Sequence, residues 1–223
     1  ASRPPADLDR AIRRPPRSFS ATGRSVEAAS VTRFRRTLSD RQPDPAGRRW
    51  LFVPYAQLSD GIGPLSREEP RDLGIVLVEN PWKAARRPYH RQKLALLVAN
   101  LRHFALEQAA RGVAVRHAVA AGPYRFALEP LIRELGPLRM MGPAERELRE
   151  DLAPLVAKGG LAIVPHEGWL TTEEDFRASQ RSDQPWRMDA FYRHVRRRTG
   201  VLMRDGKPVG GKFSFDPANR LPW

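Results

Sequence analysis

Gly74-Ile-Val-Leu-Val-Glu79 is an unbroken apolar run, rich in β-branched residues, that ends in a lone carboxylate. A run with no polar alternation describes a strand buried on both faces, as parallel sheets require. Upstream, Trp50-Leu-Phe-Val-Pro-Tyr55 is a second such run closed by turn residues. Downstream, between Lys83 and Arg111, Leu94, Leu97, Val98, Leu101, Phe104 and Ala105 fall on one stripe at i, i+3, i+4 spacing. That stripe predicts one long helix, and Gly112 stands where a C-cap glycine belongs. Val113–Val119 reads as a third strand, Phe126–Leu135 as a helix and Leu138-Arg-Met-Met141 as a short fourth strand. Gly142-Pro143 is expected to open a helix running to Val156, because proline is tolerated in the first turn. Leu161-Ala-Ile-Val-Pro165 reads as the fifth strand. Short apolar strands alternating with amphipathic helices imply right-handed crossovers. Residues 49–166 are therefore expected to form a doubly wound, Rossmann-like α/β domain, a five-stranded parallel sheet with helices on both faces.

The flanks differ. Residues 1–48 carry 11 Arg against 5 acids and are broken by Pro4, Pro5, Pro15, Pro16, Pro43 and Pro45. They are expected to form a disordered basic arm, although Val26–Leu38 is compatible with a helix. Residues 167–223 read as a connector, helical and charged over Glu173–Thr199 and irregular, Gly/Pro-rich beyond. The whole chain has 223 residues, 39 basic and 25 acidic, for a net charge of +14. Such a surface attracts polyanions through counterion release, although an arginine-rich, alanine-rich composition also follows from a GC-rich genome.

Several chemistries are excluded. Without cysteine there is no disulfide, thiolate zinc site or cysteine-ligated iron–sulfur cluster. No apolar run approaches the roughly 18 residues of a membrane span, and no signal-peptide core is present, so no membrane role and a cytoplasmic location are expected. His90, His103, His117, His166 and His194 show no metal-ligand spacing, so no metal is expected. Gly61-Ile-Gly63 lacks the third glycine of a dinucleotide fingerprint, and there is no GxSxG elbow, so no catalytic residue is assigned.

In an open α/β sheet, ligands bind beyond the carboxyl ends of the strands. Those ends carry Tyr55-Ala56-Gln57-Leu58, Glu79-Asn80 and Gly142-Pro143-Ala144-Glu145. Glu79, at the end of an apolar strand, is an acceptor suited to an N–H-bearing heterocycle. Gly142 admits close backbone approach, and the amides of the following helix can receive a carbonyl or anion. The plainer alternative is that Glu79 caps a turn and Gly142-Pro143 is an ordinary loop. In Trp186–Gly200, Met188, Phe191, Tyr192 and Val195 form an apolar stripe, surrounded by Arg187, Arg193, Arg196, Arg197 and Arg198. It reads either as a docked amphipathic helix or as a contact for nucleic-acid phosphates or a partner.

One long C-terminal pattern is more specific: Arg187-Met188-Asp189-x-Phe191-Tyr192-Arg193-x-x-Arg196-Arg197-Arg198-Thr199-Gly200, then Val201-Leu202-Met203, Gly206-Lys-Pro-Val-Gly-Gly211 and Phe215-Asp216-x-x-Asn219-Arg220. With His90-x-x-Lys93, Leu101-Arg102-His103-Phe104-Ala105 and the strand ending in Glu79, it resembles the deoxyribodipyrimidine photolyase-related proteins, the bacterial iron–sulfur photolyases and cryptochromes. The resemblance covers roughly residues 50–222. It implies an amino-terminal antenna domain that holds a ribityl lumazine at the strand ends, through Tyr55, Gln57, Leu58, Glu79, Asn80 and the Gly142–Ala144 backbone. The family's light-driven DNA repair belongs to a helical domain with FAD and an iron–sulfur cluster. Neither group is expected in this chain, so the resemblance implies either a piece of a longer protein or a chain acting beside a separately encoded FAD-binding helical domain as partner, and no catalysis by this chain alone. The chain departs from the family where a Gly-Asp becomes Tyr55-Ala56, around Pro81–Tyr89, and at Lys212-Phe213-Ser214-Phe215-Asp216. The alternatives are a non-catalytic nucleic-acid-binding protein, using the basic arm to contact DNA, and an inactive remnant of a split gene.

Overall fold

The computed structural model describes residues 21–216 apart from 87, 121 and 184. Five strands, β1 (Arg49–Phe52), β2 (Leu73–Glu79), β3 (Ala114–Val119), β4 (Leu138–Met141) and β5 (Leu161–Val164), form one sheet in the order β3-β2-β1-β4-β5. Every pairing is parallel, with Trp50 opposite Gly74 and Leu51 opposite both Ile75 and Arg139. The helices are α1 (Ala21–Arg41), α2 (Pro64–Arg67), α3 (Pro81–Ala85), α4 (Arg91–Ala110), α5 (Tyr124–Leu135), α6 (Arg146–Ala157), α7 (Glu173–Ala178) and α8 (Met188–Thr199). A small antiparallel hairpin pairs β6 (Met203–Arg204) with β7 (Lys207–Pro208). Among the described residues no helix is long and apolar enough to cross a membrane.

The expected doubly wound architecture is present. β2 is buried from Leu73 to Val78, and its alternating side chains feed two separate cores. Val76 and Val78 join Trp50, Phe52, Leu128, Met140 and Leu152 on the α5–α6 face. Ile75 and Leu77 join Leu51, Leu101 and Phe104 on the α4 face. Gly74 is demanded by packing, since a Cβ there would lie 2.5 Å from the buried Trp50 ring.

Four boundaries differ from the sequence reading. The helix compatible with Val26–Leu38 is present and longer, as α1, and the expectation of disorder fails for the described part of the arm. Phe34 and Leu38, one turn apart, enter the α4-side core. The Gln42 side-chain amide then pairs with Val115 of edge strand β3, donating to its carbonyl (2.5 Å) and accepting from its N–H (3.2 Å). Local composition hid this, because one apolar residue per turn is enough when a sheet face already awaits it. Residues 1–20 lie outside the described residues. The single helix expected over Lys83–Arg111 is split into α3 and α4, because Pro88 lacks the N–H that a continuous helix would use there and His90 caps a new start, accepting from Gln92 N–H (3.3 Å). The helix after β4 begins at Arg146 rather than Pro143. The Arg149 guanidinium takes the carbonyls of Pro143 (3.0 Å) and Ala144 (2.7 Å), which holds those residues in a loop. Finally, the tail beyond Gly200 forms the β6–β7 hairpin where no strand was expected; Asn219 and Arg220 lie outside the described residues.

Candidate functional site

The connection from β1 runs toward β2 and β3, whereas β4 and β5 lie on its other side. The strand order therefore reverses between β1 and β4, and a crevice opens at their carboxyl ends. Tyr55 enters it from the turn after β1, Glu145 from the loop after β4, and Lys83 from α3. Asn80 positions Lys83: its Oδ1 accepts the Lys83 N–H (2.9 Å) and so caps α3, with Pro81 in the first turn. The Tyr55 hydroxyl donates to Glu145 Oε1 (2.5 Å), Lys83 Nζ donates to the Tyr55 hydroxyl (3.0 Å), and Lys83 ion-pairs with Glu145. Burial, followed by the Glu145 hydrogen bond, raises the Tyr55 phenol. Burial opposes the charge on Lys83, but hydrogen bonds to Glu145 and Tyr55 outweigh it and hold the ammonium protonated.

Beside this network lies a cleft of about 340 Å³, within the range of small-molecule sites. Asn80, Trp82, Lys83, Tyr124, Glu147 and Asp151 are among its walls. Asp151 accepts the Tyr124 N–H (2.7 Å) and an Arg125 Nη1–H (3.2 Å), yet burial outweighs both and raises its carboxyl. Trp82 offers an aromatic face with Arg86 over it at 4.7 Å. The arrangement suits a flat, polar ring: an aromatic surface, a cation and acidic acceptors in one partly dry space.

Of the residues expected at a site, Tyr55 and Asn80 meet here. Gln57 is buried and donates to the carbonyls of Met141 (3.0 Å) and Gly142 (3.4 Å), tying the first loop to β4. Leu58 packs on the α4-side core. Glu79 turns to that same face, away from the cleft. Its carboxylate is forked by Arg102 (2.6 and 2.9 Å) and lies 3.0 Å from His117 Nε2. Against burial, these partners lower the Glu79 carboxyl to about 2. Glu79 is thus committed to a structural cluster, which Phe34 closes by stacking under Arg102 (5.4 Å) and edge-on to His117 (5.0 Å). The Gly142 amide donates to Val164 O (2.9 Å), and Arg149 occupies the Pro143 and Ala144 carbonyls, so this backbone is also tied within the fold. Trp82, Lys83, Tyr124 and Asp151 escaped the sequence reading. Asn80-Pro81, a capping residue followed by a first-turn proline, was the signal that could have placed Lys83.

The C-terminal arginines divide sharply. Arg196 is 5% exposed and donates to the carbonyls of Val201 (3.3 Å), Phe213 (3.0 Å) and Leu202. Arg198 ion-pairs with Asp175 (2.8 Å) and bonds the Leu170 carbonyl. Arg187 and Arg193 both engage Asp189, at 3.0 and 3.7 Å. Arg197, exposed over the Phe213 ring at 5.0 Å, has no anionic or carbonyl partner among the described residues. The expected contact for phosphate or a partner is therefore not a cluster of free guanidinium groups. Arg196 and Arg198 hold α7, α8 and the hairpin together.

The same span that contains the sheet and this arginine-tied tail is shared with known proteins. A protein of Agrobacterium fabrum named (6-4) photolyase is 31% identical over 175 residues, 74% of this chain and 34% of that protein. The chain thus spans about a third of that relative's length. An uncharacterized protein of Acanthamoeba polyphaga mimivirus is 28% identical over 89 residues, 37% of this chain and 45% of that one. The family described as deoxyribodipyrimidine photo-lyase-related protein matches residues 51–223, from β1 through the tail, and it is to this family that the chain belongs.

Proposed function

We propose that the chain is an antenna-type domain serving light-dependent DNA repair, and that its cleft holds a conjugated ring of the ribityl lumazine class. The observation that carries this reading is the cleft beside the strand-order reversal, walled by α3 and the first turns of α5 and α6, in a domain matched by the photolyase-related family. The residues fit such a group. Trp82 supplies a face for the ring, Asp151 and Glu147 supply acceptors for ring N–H groups, and Lys83 faces ring carbonyls. The cleft is open enough for a polyol tail to reach solvent. Glu79, tied to Arg102 and His117, has no part in the binding. When bound, a chromophore of this class absorbs near-ultraviolet or blue light and passes the excitation to a flavin on a FAD-binding helical domain.

Titration of the purified chain with dimethyl-ribityl-lumazine, read by ligand fluorescence, tests the reading. Saturable binding is expected, weakened about tenfold by Trp82→Ala and by Asp151→Asn, each worth on the order of 1.4 kcal/mol. Ligand fluorescence that stays unchanged as protein is added would reject it.

A further inference from the structure

We propose that the outward face of α1 is a binding surface for the phosphate backbone of nucleic acid. This helix lies ahead of residues 51–223, the span matched by the family. Over residues 31–42 its inward face is occupied: Phe34 and Leu38 are buried in the core, and Gln42, just past the helix, pairs with edge strand β3. Nothing in that packing requires arginine on the other side. Yet at about 100° per residue Arg33 and Arg36 stand on the outward face of the helix and Arg35 on its flank, all exposed.

What sets these three apart is grouping: Arg71, Arg133 and Arg204 also lack an ion-pair partner among the described residues but stand on separate elements, whereas Arg33, Arg35 and Arg36 lie within a single turn of α1. Arg49, Arg102, Arg111, Arg116, Arg125 and Arg139 each hold a carboxylate. Arg33, Arg35 and Arg36 have no ion-pair or hydrogen-bond partner for their side chains among the described residues. The acid on this face, Asp40, stands one turn beyond Arg36 and forms no ion pair with it. Arg33 and Arg36, at i,i+3 spacing within one turn, repel each other, and Arg35 adds a third unpaired charge beside them, which does not stabilise the helix. A row of phosphates reverses that cost. Each guanidinium carries a planar fork of donors that matches phosphate oxygens, and each phosphate neutralised releases condensed counterions. The rest of the helix supplies what a backbone reader needs, a rigid mount. Phe34 stacks against Arg102, which Glu79 clamps, so the arginine side is fixed relative to the sheet. Contacts to phosphate position a protein on the duplex without reading bases, so the surface is expected to be indifferent to sequence. The overall charge of +14 favours encounter with the same partner.

The test uses the full chain and a fluorescent mixed-sequence DNA duplex, with anisotropy followed across a salt series. Arg33→Gln/Arg35→Gln/Arg36→Gln removes three charges while glutamine keeps good helix propensity. Arg71→Gln/Arg133→Gln/Arg204→Gln removes three charges elsewhere and serves as the control. Matching melting curves of the three proteins establish that folding is equal. The α1 variant is expected to bind roughly 10–100-fold more weakly near 0.1 M salt and to lose about 2–3 from the slope of log affinity against log salt. The control is expected to keep both. Equal losses in the two variants would show that net charge alone acts, and would overturn the proposal. So would unchanged binding by the α1 variant, or retention by anionic phospholipid vesicles with none by duplex. None of these readings involves the chromophore cleft, so the two proposals fail independently.

Discussion

The sheet domain and the C-terminal segment are both rich in arginine, but they use it in opposite ways. In the sheet domain the interior is apolar on both faces, and Arg49, Arg102, Arg125 and Arg139 clamp carboxylates around the periphery. In the segment over 172–216 the centre is Arg196 itself. Its guanidinium gathers the carbonyls of Val201, Leu202 and Phe213 and lies over the rings of Tyr192 (5.5 Å) and Phe213 (5.3 Å). Leu202 is held with φ at 55°, a conformation that a branched side chain resists, and Gly200 ends α8 in the left-handed region at 72°. Meanwhile Trp186, Met188 and Leu202 remain largely exposed. Hydrophobic burial stabilises the first region as one cooperative unit, whereas the second is a set of loops converging on one cation. The lesson is that a basic composition is not a binding surface: most of these guanidinium groups are consumed as structural donors.

That contrast can be broken from either side. The largest effect is expected from Phe52→Ala in the α5–α6 core, where a fully buried ring leaves a cavity between sheet and helices; the loss is about 3–5 kcal/mol in chemical denaturation of the whole domain. A loss under about 1 kcal/mol would mean that the domain core is not the cooperative unit described here.

Glu79→Gln comes next, at about 2–3 kcal/mol, because Arg102 then loses its counter-charge and His117 its carboxylate partner. The same residue sets a pH dependence. Its carboxyl falls from 4.5 in an unfolded chain to about 2 in the fold. Between those values the unfolded state binds the extra proton, so the contribution of Glu79 is complete above about 4.5 and is lost as pH falls toward 2. Acid titration of stability should therefore drop less steeply through this window in Glu79→Gln than in the parent protein. Identical slopes would remove Glu79 from the account.

Smallest in global terms is Arg196→Met, which is expected to shift the domain's denaturation midpoint by less than about 0.5 kcal/mol while opening the tail. Limited proteolysis should then cut between residues 170 and 216 at least tenfold faster, leaving the sheet domain intact. A global loss as large as that of Phe52→Ala would merge the two regions into one.

The parallel sheet was legible because its evidence is local. Runs such as Gly74–Val78 must be buried on both faces, and the helical stripe Leu101, Phe104 and Ala105 can only face a sheet. Breaks were legible only where the breaker was noticed: Pro88 splits a helix that periodicity alone had joined. Tyr55 and Asn80 lie at the crevice as their positions after strands imply, since chain order is enough to place residues at strand ends. Glu79 was misjudged in direction. Chain position puts it at the right edge of the sheet, but the side chain points according to strand alternation and to which cations wait on each face. Arg196 failed for a related reason, because a charged residue amid charged neighbours carries no local mark of burial.

The amino-acid sequence by itself determined the strand and helix alternation, the family and the charge, because each is written in short-range pattern or in composition. Only the tertiary structure decided which groups are spent and which are free: that Gln42 closes a sheet edge 73 residues away, that Lys83 and Glu145 meet across the crevice, and that Arg33, Arg35 and Arg36 stand exposed while Arg196 is buried. Partnering between side chains distant in sequence is a property of the packed chain, since the low dielectric and fixed geometry that select each partner exist only after the core has formed.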